Sequence, residues 1–308
     1  MNQNFKKHVF KDVISLMTGM WPTPLVKLSK ISDNLFEVWA KLEFYNPFSH
    51  SIKDRPVWNM IKEAISAGVL KEKLYEATSG NVGIAMACLT NYLGKKFRAY
   101  LPKKATKVSE ILIKMLGGEV IRTNFSTIDV SMVEYVQEEA KKDNASNLNQ
   151  FMNDANYEAH LKYTAQELLE QIELIGIPPR AIIAGIGTSG HIAAISRKMK
   201  EKFGDDVKII AVQPAKGSSI PGIKRVETKQ KWLPLVKIDV IIDITKEESI
   251  AGVIELGRKE GLLIGLSSGA VYEAFKRVKK KYGKGLYVLV FPDDLFKYVD
   301  IIEKFIFS

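Results

Sequence analysis

Asn46-Pro47-Phe48-Ser49-His50-Ser51-Ile52-Lys53-Asp54-Arg55 opens on a turn-forming Asn-Pro pair, passes through hydroxyls and an imidazole, and ends in charge. Lys53 falls where the chain is predicted to enter a helix, Pro56-Val57-Trp58-Asn59-Met60-Ile61-Lys62-Glu63-Ala64. A lysine there faces the positive end of the helix dipole, which favours the neutral amine over the ammonium. A neutral amine is a nucleophile, and imine-forming lysines are made in this way. An ordinary lysine among the 45 lysines and arginines of the chain is a solvated surface charge. What Lys53 does therefore depends on what the fold brings to it.

On both sides of this stretch, short apolar segments alternate with longer segments of helical period. Strands are predicted over 36–44, 73–76, 96–101, 119–122, 181–184, 208–213, 240–244, 262–265 and 286–291. Helices are predicted over 79–92, 107–116, 126–141, 157–174, 191–203, 246–259 and 268–281. Such alternation predicts an α/β fold with mostly parallel sheets flanked by helices. A chain of 308 residues is long enough for two lobes. The polar stretch Asn144 to Gln150 marks the break, giving an N-terminal lobe over 1–147 and a C-terminal lobe over 148–308. The first ~45 residues are expected to pack partly against the other lobe. Ligands in such folds bind at the carboxyl ends of strands, where helices begin.

Composition removes several function classes. No apolar run reaches the roughly 18 residues that a membrane helix needs. The first 20 residues lack the small-residue cleavage site of a secretory signal. One cysteine, Cys88, sits in an apolar helical pattern, so no disulfide forms within the chain, and a cytoplasmic setting is expected. The net charge of +10 raises nucleic acid as a partner. Its densest run, Lys276-Arg277-Val278-Lys279-Lys280-Lys281, is read as a helix C-terminus, without the aromatics that stack on bases. Neither nucleic acid nor membrane is expected to be a partner.

Three segments share one pattern, a strand followed by small residues and then a helix. They are Glu76-Ala77-Thr78-Ser79-Gly80-Asn81, Gly185-Ile186-Gly187-Thr188-Ser189-Gly190 and Gly265-Leu266-Ser267-Ser268-Gly269. Free N–H groups and hydroxyls at a helix start cradle a carboxylate or phosphate, although capping alone explains any single such turn. The second turn also fits the dinucleotide pattern Gly-x-Gly-x-x-Gly. That pattern needs an acidic residue at the end of the next strand, where this chain has Gln213-Pro214. A single phosphate fits better than a nicotinamide cofactor.

These motifs, in this order, resemble the cysteine synthase branch of the fold-type II enzymes that use pyridoxal 5′-phosphate (PLP). The likeness runs from Thr23-Pro24-Leu25 to Val290-Phe291-Pro292-Asp293. It implies a two-lobed α/β enzyme, a homodimer, with PLP as cofactor and no metal. By the same resemblance Lys53 matches the lysine that joins PLP as an imine and later acts as base. Thr78, Ser79, Gly80 and Asn81 match the loop that grips the substrate carboxylate, with Asn81 reaching the ring hydroxyl of the cofactor. Gly187, Thr188, Ser189, Gly190 and His191 match the phosphate cup. Ser267 matches the serine at the pyridine nitrogen, and Gln150 a glutamine on the carboxylate side. A serine there leaves the pyridine neutral, which favours elimination and replacement at Cβ over transamination.

The chain departs from the family pattern in three places. Ser189 and His191 stand where the cup usually has glycine and threonine. Asp294-Leu295-Phe296-Lys297 replaces the usual Ser-Gly-Glu-Arg. Gly222-Ile223-Lys224-Arg225 resembles the archaeal O-phosphoserine sulfhydrylases more than the acetylserine enzymes. A phosphate leaving group carries nearly two charges, which a guanidinium can pair bidentately. Arg225 is therefore the expected phosphate contact, with His50 and Lys216 beside it. The resulting expectation is a cysteine-forming β-replacement on O-phosphoserine, or also O-acetylserine, with sulfide. The alternatives are cystathionine β-synthase, O-acetylserine sulfhydrylase and a non-catalytic PLP-fold ligand sensor.

Overall fold

The computed structural model describes residues 8–307. Helix α1 (Val13–Gly19) starts on a reciprocal cap between Asp12 and Ser15 and leads into β1 (Leu25–Lys27) and β2 (Phe36–Leu42). Next come α2 (Asp54–Ser66), β3 (Lys73–Ala77), α3 (Asn81–Tyr92), β4 (Lys96–Leu101), α4 (Lys107–Met115), β5 (Glu119–Arg122) and α5 (Val130–Lys142). The chain continues through α6 (Asp154–Ala159), α7 (Gln166–Ile175), β6 (Pro179–Gly185), α8 (Gly190–Phe203), β7 (Lys208–Pro214) and β8 (Val240–Ile244). It ends with α9 (Lys246–Glu260), α10 (Leu266–Tyr282), β9 (Gly285–Phe291) and α11 (Val299–Ile306).

Two sheets result. One has six strands in the order β1-β2-β9-β6-β7-β8, and the other is β3-β4-β5. Every strand pairing is parallel except β1 with β2. β1 and β2 thus join the sheet formed by the second half of the chain, while β3 to β5 stand apart.

The central strands β9, β6 and β7 of the large sheet are buried on both faces, which is why they read as nearly unbroken apolar runs. Tyr287, Leu289 and Phe291 of β9 pack with Ile250, Val253 and Phe275 of α9 and α10. Leu286, Val288 and Val290 pack with Leu168, Ile172, Ile195 and Met199 of α7 and α8 on the other face. The small sheet buries Leu74, Ala99 and Leu101 against Ile61, Ala85 and Leu89 of α2 and α3. Strands β3 and β6 run directly into the small-residue turns that open α3 and α8.

Three local expectations differ from the structure. Residues 262–265 form no strand, because Gly261 in left-handed conformation ends α9 and Gly265 already caps α10, leaving one bridge from Ile264 to Asp294. The single helix predicted over 157–174 is α6, a π-helical turn at His160–Ala165 and α7. The helix predicted from 126 begins at Val130, where the Asp129 side chain accepts the Met132 N–H. The basic run does close α10, with Lys279, Lys280 and Lys281 in its last turn. Cys88 is half-buried, and burial pushes its thiol up to about 12. No helix among the described residues is long and apolar enough to cross a membrane.

Candidate active site

Lys53 is the residue from which α2 starts, as its position in the sequence predicts. The loop before it is held by Asp54, whose carboxylate accepts the N–H groups of Phe48 at 2.8 Å and Ser49 at 3.0 Å and the Ser49 hydroxyl at 2.5 Å. Ser51 accepts the Lys53 N–H at 3.1 Å. So tied, the lysine side chain reaches a cavity of about 640 Å3. Burial pulls its amine down to about 8, against the opposing attraction of Asp293 and Glu43. Near neutral pH a usable fraction of it is unprotonated.

Two of the three small-residue turns line the same cavity, through Thr78, Ser79, Gly80 and Asn81 and through Gly187 and Thr188. Ser267, on the third turn, is buried and lies within 4 Å of where a Cβ on the cavity residue Gly222 would sit. Within the turns, Thr78 Oγ1 accepts the N–H groups of Gly80 and Gly83 at the start of α3, and Thr188 Oγ1 accepts the side-chain amide of Asn156 on α6 at 3.2 Å. Gly190 admits no larger residue, since a Cβ there would stand 2.6 Å from Asn156 Oδ1. Ser189 adopts φ 75°, a strained conformation for a serine at the mouth of α8.

Not every expected residue meets the cavity as expected. Gln150 lines it, but its amide nitrogen already donates to the Ala77 carbonyl at 2.9 Å. Lys216 lines it from an exposed loop. His50 is not among the lining residues; its side chain is 63% exposed and 3.9 Å from Asp294. Arg225 borders the cavity with its guanidinium committed elsewhere: Nη1 bonds the Pro214 carbonyl at 2.6 Å and Asp243 at 2.9 Å, and Nη2 bonds Glu227 at 2.9 Å. Two carboxylates thus already compensate the charge of Arg225, the residue expected to contact a phosphate.

The adjacent Lys224 also lines the cavity. Its N–H donates to the Ile186 carbonyl, its Nζ to the Ile128 carbonyl, and its ammonium lies 4.4 Å over the Phe151 ring. No carboxylate pairs with it among the described residues, and burial draws its amine down to about 8. Asp293 and Tyr298 also bear on the site. They flank the segment 294–297 where the family pattern is broken, and the Tyr298 hydroxyl donates to Asp293 Oδ2 at 2.5 Å.

The donor set fits PLP. Ser189 Oγ, His191 Nδ1, Ser268 Oγ and Asn81 Oδ1 are buried polar atoms without a hydrogen-bond partner among the described residues, and all belong to the three turns. Buried polar groups in native proteins are nearly always partnered, so this concentration marks a place built for a polar ligand. No cluster of metal-ligating side chains occurs among the described residues.

A buried amine with a lowered pKa facing anion-cradling turns, on paired α/β sheets, is the arrangement a cofactor-binding enzyme requires. Residues 16–293 match the model of the family described as pyridoxal-phosphate dependent enzyme. The chain belongs to that family and is PLP-dependent, with the two-sheet architecture of its fold-type II class. It is 34% identical over 278 residues to cysteine synthase B of Escherichia coli, covering 88% of this chain and 89% of the relative. To a probable cysteine synthase of Bacillus subtilis it is 37% identical over 273 residues, 84% and 87% of the two chains. Among solved structures, the O-acetylserine dependent cystathionine β-synthase of Helicobacter pylori superposes with a TM-score of 0.83 at 26% identity, covering 95% of this chain and 98% of that one.

Proposed function

We propose that this chain makes L-cysteine by β-replacement, exchanging the β-substituent of an activated L-serine for sulfide, with O-phospho-L-serine as the preferred donor. The observation that carries the reaction class is the buried Lys53 amine, drawn down to about 8, at a cavity walled by the Thr78–Asn81 and Gly187–Thr188 turns. In this reading Lys53 holds the cofactor, and the 187–191 turn takes its phosphate. Ser79, Gly80 and neighbouring N–H groups at the start of α3 receive the substrate carboxylate. When bound, PLP supplies an electron sink for negative charge at the substrate Cα. The unprotonated Lys53 amine would take the Cα proton of the bound amino acid, whose β-substituent is exchanged for sulfide overall.

The donor preference rests on Lys224. A half-buried ammonium bonded only to a carbonyl and a ring face gains most from a dianionic leaving group. Hydrogen bonds to charged groups contribute about 1.5–3 kcal/mol, or one to two decades of preference. Acetyl brings no comparable charge. The test is cysteine formation by the PLP-loaded protein from phosphoserine, acetylserine or serine with sulfide. Phosphoserine should give the highest kcat/KM, and Lys224→Met should lower that value while sparing acetylserine. Equal loss on both donors would remove the preference, and absence of cysteine from every donor would remove the reaction.

The likeness to the Helicobacter pylori enzyme motivates a second reading, in which homocysteine replaces sulfide as nucleophile. Adding homocysteine to the same assay and measuring cystathionine separates the two.

A further inference from the structure

Asp293 follows β9 and is fully enclosed at 2% exposure. One carboxyl oxygen, Oδ2, accepts the Asn81 amide nitrogen at 2.8 Å and the Tyr298 hydroxyl at 2.5 Å. The other, Oδ1, has no partner among the described residues and lies against Gly265, where a Cβ would stand only 2.0 Å away. Asn81, Tyr298 and Lys53 all line the cavity. Asn81 Oδ1 is likewise buried and without a partner. A carboxyl and an amide thus share one hydrogen bond and each leave one oxygen idle.

An amide has one donating and one accepting end. A carboxylate can only accept, so it draws the NH2 of Asn81 toward itself and turns the Asn81 carbonyl the other way. A protonated carboxyl can donate to that carbonyl, and the NH2 then swings free. The state of Asp293 therefore decides whether Asn81 offers a donor or an acceptor. Reading Asn81 as the contact to the ring oxygen of PLP, on which this step rests, gives the choice a consequence: an anionic ring oxygen requires a donor.

We propose that Asp293 is a positioning residue that sets which end of the Asn81 amide faces the cofactor, and that it carries a proton when the donor end is presented. Burial favours its protonated form. The groups facing it are Lys53 at the start of α2, Asn81 on α3, Tyr298 before α11, and its neighbours Asp294 and Lys297. Lys297 is held on the Ser49 and His50 carbonyls and on Asp294. The Tyr298 hydroxyl favours the carboxylate. A proton gained by Asp293 balances the one that Lys53 must lose to become nucleophilic, so the buried charge of the pair does not change sign.

The test compares PLP affinity of the full chain, freed of cofactor, with that of Asp293→Asn, an isostere of the protonated carboxyl. Equilibrium dialysis across a range of pH gives the ratio of the two dissociation constants, in which titration of free PLP cancels; the Lys53 contribution, which the Asp293 charge alters, is removed using the pH profile of PLP capture in each chain. The ratio should stay within about threefold at low pH and then rise up to tenfold per pH unit as Asp293 ionises. In Tyr298→Phe, which removes a donor to the carboxylate, the rise should begin about one pH unit higher. The absorption of the bound cofactor, followed in the same samples, should change at the same pH in wild type and stay constant in Asp293→Asn. A complex with a flat ratio, or a Tyr298→Phe shift toward lower pH, overturns the role of Asp293 alone. Failure of the wild-type chain to bind PLP through Lys53 overturns the functional reading and this role with it.

Discussion

Two groups of buried polar side chains surround Lys53 in sequence and space, and they are satisfied to opposite degrees. In the first, Arg55 bonds Glu43 at 2.8 Å and both oxygens of Glu167 at 2.7 Å, and stacks 4.7 Å over Trp21. Lys41 completes it, donating to the Thr23 carbonyl at 2.7 Å, Gln171 at 2.9 Å and Glu167 at 3.4 Å. Two cations meet two carboxylates, and the donors are used. In the second group, the turns at 78–81, 187–191 and 265–268, hydroxyls, an imidazole and an amide oxygen lie idle. Equal burial does not mean equal purpose. The saturated network ties α2, β2 and α7 together, whereas the unsatisfied turns are shaped for something that arrives from outside.

The largest effect should come from the residue between them. Lys53→Ala should lower cysteine formation by about 10^4-fold, since it removes the proton carrier at Cα. Borohydride treatment followed by peptide mapping should label Lys53 in the wild type and nothing in the variant. Its circular dichroism and melting should stay close to wild type, because a buried amine with no salt-bridge partner among the described residues leaves little stabilisation behind. A labelled peptide elsewhere would break the reading of the whole cavity.

The saturated network predicts the reverse pattern. Arg55→Met leaves Glu43 and Glu167 buried with only Lys41 to balance them, and should cost about 3–5 kcal/mol of stability in denaturant titration. Replacing a residue of the unsatisfied turns, as in Ser189→Gly, should cost little or even stabilise, since φ 75° suits glycine, while PLP affinity falls. If both substitutions lowered stability alike, satisfaction of hydrogen bonds would not separate scaffold from site.

A smaller effect concerns pH. The folded value of Lys53, about 8, lies below that of an exposed lysine, so the native chain binds fewer protons than the unfolded chain above pH 8. This group therefore adds stability as pH rises from about 8 toward the ordinary lysine range, and its penalty is fully present below 8. Capture of PLP by the unprotonated amine should accelerate roughly tenfold per pH unit below that value and level off above it. Stopped-flow absorbance measures the profile. A flat profile between pH 6 and 9 would mean that burial does not set the amine.

Much of the scaffold is legible because its signals are local. Strand β9 reads as apolar throughout because helices cover both of its faces, and α9 is announced by Thr245 and Glu248, which cap it reciprocally. Lys53, the three turns and their order along the chain are legible for the same reason. β1 is not, since three residues acquire strand character only by pairing with β2. Nor is the π-helical turn, which no periodicity announces. The difference between Lys224 and Arg225 is not legible, because the two cations share one loop and one partner carboxylate, Asp243, comes from β8.

That difference supplies the smallest and sharpest prediction. Glu227 lies two residues from Arg225, but Asp243 belongs to β8 and the Pro214 carbonyl to the end of β7. Partnered on three sides and part-exposed, Arg225 has no free donor pair to extend toward a phosphate, and its ion pairs are of the weak, solvent-screened surface kind. Arg225→Met should therefore change kcat/KM on phosphoserine by less than about fivefold and alter the phosphoserine-to-acetylserine ratio still less. Lys224→Met should shift that ratio by one to two decades. Should the two variants exchange these outcomes, Arg225 must leave Glu227 and Asp243 when the substrate binds, and the loop from Pro214 to Thr228 would have to be redrawn around the guanidinium.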